Sequence, residues 1–238
     1  MGDISEPPIV VARRARLPHL PVEVADFVYS RCVDSPPWLR RALRLAALSQ
    51  NGLTFTKDPF ERDRWEEVRR LTAEMLAEGT GTSPDQMVAR LAAETGYATP
   101  KVDVRAAVFQ DNQILLVQER SDGGWTLPGG WCDVGEAPGV AAAREVEEES
   151  GYRVRTTKLL AVYDKLRHEH PPESLHAYKI FFRCDLVGGA AATSDETTAV
   201  GFFAENALPP LSLARVTERQ IRRMFEHARD PSLPTDYD

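Results

Sequence analysis

The stretch "GGWCDVGEAPGVAAAREVEEESGY", residues 129–152, decides the fold of this chain. Its second half predicts a helix. Pro138 suits a first helical position, Ala141, Ala142, Ala143, Arg144 and Glu145 are good helix formers, and Gly151 supplies the stop. Glu145, Glu147, Glu148 and Glu149 then crowd the C-terminal end, where the helix dipole favours cations. Glu145 and Glu149 also form an i,i+4 like-charge pair, which opposes the helix by roughly a few tenths of a kcal/mol. At about 100° per residue, Glu145, Glu148 and Glu149 share a face, while Ala143 and Val146 point elsewhere. A merely solvated acidic face would leave these penalties standing. A divalent cation turns each of them into attraction, and hard oxygen ligands of this kind suit Mg²⁺ or Mn²⁺.

On either side of this stretch the pattern is that of strands. "VDVRAAVF" and "QILLVQE" are joined by Asp111-Asn112, a hairpin signal, and "RVRTTKLLAVYD", "AYKIFFRCDLV" and "VGFFAEN" follow the acidic helix. A closing helix is expected around Thr217 to Ala228. Strands, one Gly-loop-plus-helix, more strands and a helix imply a mixed sheet flanked by helices. Upstream, "PPWLRRALRLAALSQNG" reads as a helix stopped at Asn51-Gly52. "DPFERDRWEEVRRLTAEMLAEG" has Asp58 as N-cap, Pro59 at N1 and an end at Gly79, and "SPDQMVARLAAETG" repeats the design from Ser83 to Gly96. "PVEVADFVYSRC" (Pro21–Cys32) suggests a further helix. A seam at Tyr97–Pro100 separates the helical and α/β parts. The expected organisation is an extension over 1–35, a helical domain over 36–98, an α/β domain over 99–230 and a tail over 231–238.

Composition narrows the function classes. The chain has 238 residues, 42% of them hydrophobic, and its net charge of −7 argues against a general nucleic-acid binder. No run of 18 or more apolar residues exists, so no transmembrane helix is expected, and the start "MGDISEPPIVV" lacks a signal-peptide pattern. Cys32, Cys132 and Cys184 are scattered without CxxC spacing, which favours a cytoplasmic location over a disulfide framework. The locally basic "ARRAR" and "LRRALR" read as solvated faces or partners for the excess acid.

The spacing of the opening stretch is more specific still. Gly130 is followed by five residues and Glu136, then seven residues, Arg144-Glu145-Val146, Glu147, Glu148-Glu149, Ser150, Gly151 and Tyr152. This resembles the Nudix box, G-x5-E-x7-R-E-U-x-E-E-x-G-U, at every specified position. The likeness extends over roughly Pro37 to Phe225, through "NGLTFTKDPFERDRWEEVRRLTAEMLAE", "YATPKVDVRAAVFQDNQILLVQERSDGGWTLPGGWCDVGE", "LLAVYDKLRHEHPPESLHAYKIFF" and "ETTAVGFFAENALPPLS". These look like a bacterial Nudix subfamily that places a small helical domain before the Nudix domain. That subfamily includes CDP-choline pyrophosphatases of Gram-positive bacteria and many relatives labelled ADP-ribose pyrophosphatases.

The resemblance implies a Nudix α/β/α sandwich with a mixed sheet, preceded by a small all-helical domain. It implies a homodimer and an Mg²⁺-dependent hydrolase acting on diphosphate bonds. Glu145 and Glu149 are expected as principal metal ligands, joined by Gly130 and by Glu148 as ligand or water-orienting group. Arg144 would orient a box carboxylate, and Glu136 would tie the loop to the helix or support the metal shell. Glu196, before a strand, is a candidate base. Arg167, His168 and His170, in a Pro-containing cationic loop, together with Trp125 and Trp131 beside the glycines, are candidates for substrate contact. CDP-choline is the first substrate this implies, ADP-ribose the second, with NADH, sugar nucleotides or RNA ends behind them. A non-catalytic nucleotide sensor is the alternative of a different class, but such proteins usually carry a degraded box and a DNA-binding module, and this box is intact. No membrane or DNA partner is expected.

Overall fold

A computed structural model describes residues 35–238. The expected helix over Pro21–Cys32 lies outside the described residues, as does nearly all of the extension over 1–35. Three helices come first: α1 (Pro37–Phe55), α2 (Pro59–Thr80) and α3 (Pro84–Ala93). Each opens with proline in its first turn, where the missing N–H has no intrahelical partner to lose. Asp58 caps α2 by accepting from the Phe60 N–H at 2.9 Å, and Ser83 caps α3 by accepting from Gln86. Leu39, Ala42, Ala73, Leu76, Ala77 and Met87 form the core of this part.

The expected stop at Asn51-Gly52 does not occur; α1 runs on to Phe55. Asn51 spends its side-chain oxygen on the Ala98 N–H at 2.7 Å, and Gly52 lies directly under the indole of Trp65. A Cβ at Gly52 would overlap that ring and sit 2.7 Å from its Cγ. The arrangement is reciprocal, because Gly79 of α2 lies under the Trp38 indole of α1 in the same way. Gly52 therefore serves close helix approach and not chain reversal. Alanine is the better helix former by about 1 kcal/mol, yet overpacking against the root of the indole costs about 1–3 kcal/mol. Gly52→Ala is expected to lower the melting temperature of the wild-type chain but to raise it in a Trp65→Ala background, a sign reversal that thermal melts of the four proteins would show.

The α/β part has the order β1 (Lys101–Gln110), β2 (Gln113–Glu119), β3 (Trp125–Thr126), α4 (Pro138–Ser150), β4 (Tyr152–Asp164), a 3-10 turn (Lys165–Arg167), β5 (Ala177–Gly189), β6 (Thr197–Ala204), α5 (Glu218–Arg229) and β7 (Asp236–Tyr237). Asp111 and Asn112 have φ of 49° and 59°, the left-handed pair of a tight hairpin turn. The sheet has seven strands in the order β3-β2-β1-β5-β4-β7, with β6 on the far side of β2. β1 runs parallel to β5, and β4 antiparallel to it. β1 meets β2 only beside the turn, and β2 then pairs with β6 from Gln113 to Glu119.

Alternation along β1 divides the core into two layers. Val104, Ala106 and Val108 face Ala141, Ala142 and Val146 of α4. Ala107 and Phe181 face Ile221, Met224 and Phe225 of α5 on the other side. Burying side chains of this size contributes roughly 1.5–3 kcal/mol each, so the two helices are held against opposite faces of the mixed sheet. Residues 231–238, expected as a tail, are instead woven in. β7 pairs in parallel with β4, and Asp236 accepts from Arg223, His227 and the Tyr163 hydroxyl. A two-residue strand carries too little alternation for its pairing to be read locally.

Candidate active site

The site is assembled where the end of α4 meets the loop after β3. Gly129 has φ of 147°, and a Cβ there would overlap the Val104 carbonyl of β1, so only glycine lets this loop lie so close on the sheet. The closeness turns the Gly129 N–H toward α4, where it donates to Glu149 Oε2 at 2.9 Å. Gly130 faces Glu145: a Cβ on Gly130 would be 2.9 Å from Glu145 Oε1. The Gly130 carbonyl accepts from the Val104 N–H at 2.8 Å, which leaves its second lone pair for another partner. At the other end, Gly151 has φ of 73° and stops α4 as expected.

Arg144 holds three of the box carboxylates. Its Nε and Nη2 donate to the two oxygens of Glu136, both at 3.0 Å. Its Nη1 reaches Glu148 at 2.7 Å and Glu145 at 3.1 Å. The paired hydrogen bonds from Arg144 hold the Glu136 carboxyl below its ordinary range. Burial raises Glu145, with Arg144 opposing and Glu148 adding to the shift. Glu149 is buried, and desolvation pushes its pKa up to about 8, against the pull of Arg105 and the Gly129 N–H. Glu147 is exposed.

Two carboxylates one helical turn apart beside a glycine-lined backbone fit a divalent cation in their chemistry: hard oxygen donors, desolvated and facing like charge. Glu145 and Glu149 would hold such an ion, with Glu148 close at hand. Among the described residues no three acidic, imidazole or thiol groups converge into a ready-made cage; Glu148 is drawn outward by Arg144 instead.

Some surrounding groups carry no strong signal in the sequence. Glu119, at the end of β2, is buried and paired to Arg215 Nε at 2.7 Å, with its pKa raised by burial against Arg215 and Arg105. Both Glu119 and Arg105 are near enough to Glu149 to act on its charge. Glu196 is exposed; its backbone carbonyl accepts from the Arg120 N–H, and its charge is felt at Glu119. The available sign was a pair of charges in the otherwise apolar β1, at Asp103 and Arg105, two residues apart and hence on one face.

The expected substrate contacts are not all brought to this site. His170 is turned into the core beneath α5. Its Nδ1 lies 2.7 Å from the Leu213 carbonyl and its Nε2 3.2 Å from the Gln220 amide nitrogen, so both ring nitrogens are engaged within the chain. Trp125 packs edge-on against Phe203 with ring centroids 4.7 Å apart, at the border of the α5-side core. His168 stacks near Tyr163 and its Nε2 lies 3.1 Å from Asp238. Arg167 is half-buried at the end of the 3-10 turn. Trp131 is 50% exposed, next to Gly130, and bridges to Asp103. It is the one tryptophan of the two that offers an open face beside the carboxylates.

The buried imidazole of His170 carries a pH prediction. Burial lowers its pKa from 6.5 to about 3, with Lys179, Lys165 and His168 adding to the shift and the Leu213 carbonyl opposing it. The unfolded chain thus binds the extra proton first, so stability from neutral His170 is complete above about pH 6.5 and is lost as pH falls toward 3. His170→Asn keeps a donor for Leu213 but cannot titrate. It is expected to be less stable than wild type at pH 7.5, with the gap narrowing at pH 5, as urea midpoints at both pH values would show. A constant gap would contradict the neutral, buried imidazole.

Residues 99–225 match the NUDIX domain, and residues 36–90 match a domain described as UDP-X-like, N-terminal oligomerisation domain. The chain belongs to the Nudix hydrolases. A putative ADP-ribose pyrophosphatase of Bacillus subtilis is 45% identical over 201 residues, covering 84% of this Nudix hydrolase and 97% of that protein. The crystal structure of an ADP-ribose pyrophosphatase from Streptococcus suis is 42% identical, covers 59% of this chain and 100% of its own, and superposes with a TM-score of 0.55. A UDP-X diphosphatase structure is 34% identical over 87% of this chain and 100% of that one, with a TM-score of 0.56. This Nudix hydrolase is therefore an enzyme of the class that acts on diphosphate bonds, and its family works with divalent metal ions. Among the described residues no helix is long and apolar enough to cross a membrane.

Proposed function

We propose that this Nudix hydrolase is an Mg²⁺-dependent pyrophosphohydrolase that cleaves a nucleoside diphosphate linked to another moiety, giving a nucleoside monophosphate and a phosphorylated product. The observation that carries this reading is the pair Glu145 and Glu149 facing Gly130 and Gly129 at the end of α4. The ion, when bound, neutralises phosphate oxygens and activates water. The chain's own part is positioning. Arg144 ties Glu136, Glu145 and Glu148 to one guanidinium, which restrains the three carboxylates. Trp131 offers a flat apolar surface on which a base can stack. Glu148 and Glu196 are the candidates for the base, and Glu119, whose charge acts on Glu149, joins them.

CDP-choline is the substrate implied by the subfamily likeness of the loop and helical segments. The relatives favour ADP-ribose and UDP-linked compounds, and the match covers 97% of the Bacillus subtilis protein, which makes ADP-ribose a specific second reading. Phosphorus NMR of the purified protein with Mg²⁺ and each of CDP-choline, ADP-ribose and a UDP-sugar decides among them. Cleavage of CDP-choline to CMP and phosphocholine supports the first reading; cleavage of ADP-ribose alone replaces it; cleavage of none overturns both substrates.

The helical part supports assembly as a homodimer. Leu45, Leu48, Phe55, Phe60, Leu71 and Met75 are exposed on α1 and α2, in the segment that matches an oligomerisation domain. Light scattering coupled to size exclusion gives the mass that tests it.

A further inference from the structure

The Gly loop is fastened to β1 at successive points. The Ala106 N–H donates to the Pro128 carbonyl at 2.9 Å, the Val104 N–H to the Gly130 carbonyl at 2.8 Å, and the Cys132 N–H to the Val102 carbonyl at 3.0 Å. The fastening begins with a side chain: Arg105 Nη1 donates to the Leu127 carbonyl at 3.1 Å. Arg105 is itself gripped by Asp103, through Nε at 2.7 Å and Nη2 at 2.9 Å. Asp103 is gripped again by Lys179 of β5, its cross-strand partner, with Nζ at 3.0 Å. All three side chains are buried, Lys179 to 1% exposure.

A buried charge cluster of this kind is a poor way to gain stability, because desolvation of each ion offsets most of the attraction. Apolar side chains at 103, 105 and 179 would continue the surrounding core, where Phe181 and Ala107 already lie on the same face. What the cluster supplies is direction. Of the five fixed N–H donors of the guanidinium, two are spent on one carboxylate and a third on one backbone carbonyl, a pattern lysine cannot reproduce. That carbonyl belongs to Leu127, two residues before the Gly129 N–H that meets Glu149.

We propose that Arg105, oriented by Asp103 and Lys179, is a positioning residue for the metal-binding carboxylates, pinning Leu127 so that the Gly129 amide fixes the aim of Glu149. The proposal rests on Glu149 being a metal ligand, and the test separates the two. The ion probe is Mn²⁺ alone, with free Mn²⁺ measured by electron paramagnetic resonance on the full chain without substrate, beside melting curves and kcat and KM on a substrate that the wild type turns over. Arg105→Lys keeps the charge and loses the fork. It is expected to bind Mn²⁺ about 10- to 100-fold more weakly, the usual effect of losing an outer support of a metal ligand, and to lose kcat with KM changed less than about 3-fold. Lys179→Gln leaves the fork in place but loosens Asp103, and its Mn²⁺ affinity falls between the two. Wild-type Mn²⁺ affinity in Arg105→Lys, with or without a lower melting temperature, overturns the proposal. Should Arg105→Lys fail to fold, Lys179→Gln decides alone: weaker Mn²⁺ binding supports the relay, wild-type affinity overturns it. Glu149→Gln is the control. If it binds Mn²⁺ as the wild type does, the ligand assignment fails and takes the relay with it.

Discussion

Glu149→Gln is expected to lower turnover at least about 100-fold while leaving the melting temperature within a few degrees of wild type. The size follows from removing a key electrostatic group at a reacting centre, which typically costs that much in rate. The mildness for folding follows from the geometry. Glutamine has the size of glutamate, its amide oxygen can accept the same Gly129 N–H, and the position is already desolvated. Burying an amide there is no harder than burying a carboxylate. A melting curve and a progress curve on one preparation check both halves. Wild-type turnover in the variant would remove Glu149 from the metal site; a collapsed melting curve would mean that the carboxylate holds the loop and the helix together.

The largest effect on stability is expected for Asp103→Ala. Despite its burial, Asp103 is held down to about 2 by Arg105 and Lys179, so it is ionised across the whole working range. Its removal strands a guanidinium at 4% exposure, and leaves Lys179, at 1% exposure and with its pKa already lowered to about 7 by burial, without the carboxylate that favours its charge. Removing one partner of a buried pair costs about 3–5 kcal/mol, a large share of the roughly 5–15 kcal/mol that holds an ordinary domain together. Urea unfolding should show the loss. The double variant Asp103→Ala, Lys179→Met should recover part of it, since one of the two stranded charges is gone. Equal midpoints for wild type and Asp103→Ala would mean that the loss of Asp103 leaves no buried charge without a partner.

The helix of the site was legible because its signals are local. Pro138 and Gly151 mark its ends, and the acids stand out because they lie where the dipole repels them. The hairpin at Asp111-Asn112 and the caps at Asp58 and Ser83 are local in the same sense. Where a residue's role depends on a distant partner, the reading failed. Gly52 looks like a stop until Trp65, on the next helix, is known to sit on it. His170 looks like a ligand in a cationic loop until Gln220 and the Leu213 carbonyl close on it from α5 and the strand of chain before it. Trp125 looks like a stacking platform until Phe203 is found against it. Asp103 and Lys179 lie 76 residues apart in the sequence and meet as partners in the β1–β5 pair. Only the parallel pairing of two strands brings opposite charges to one row, and no local period encodes that.

The two tryptophan–glycine seats have a meaning for the descent of this fold. Position 52 cannot gain a side chain while 65 keeps an indole, nor 79 while 38 does. Each pair is therefore one unit of inheritance. Drift along the helical hairpin has to pass through the shrinking of a tryptophan before the glycine opposite it is free to vary, so related chains should have lost the tryptophan alone or both members of a pair, and not the glycine alone.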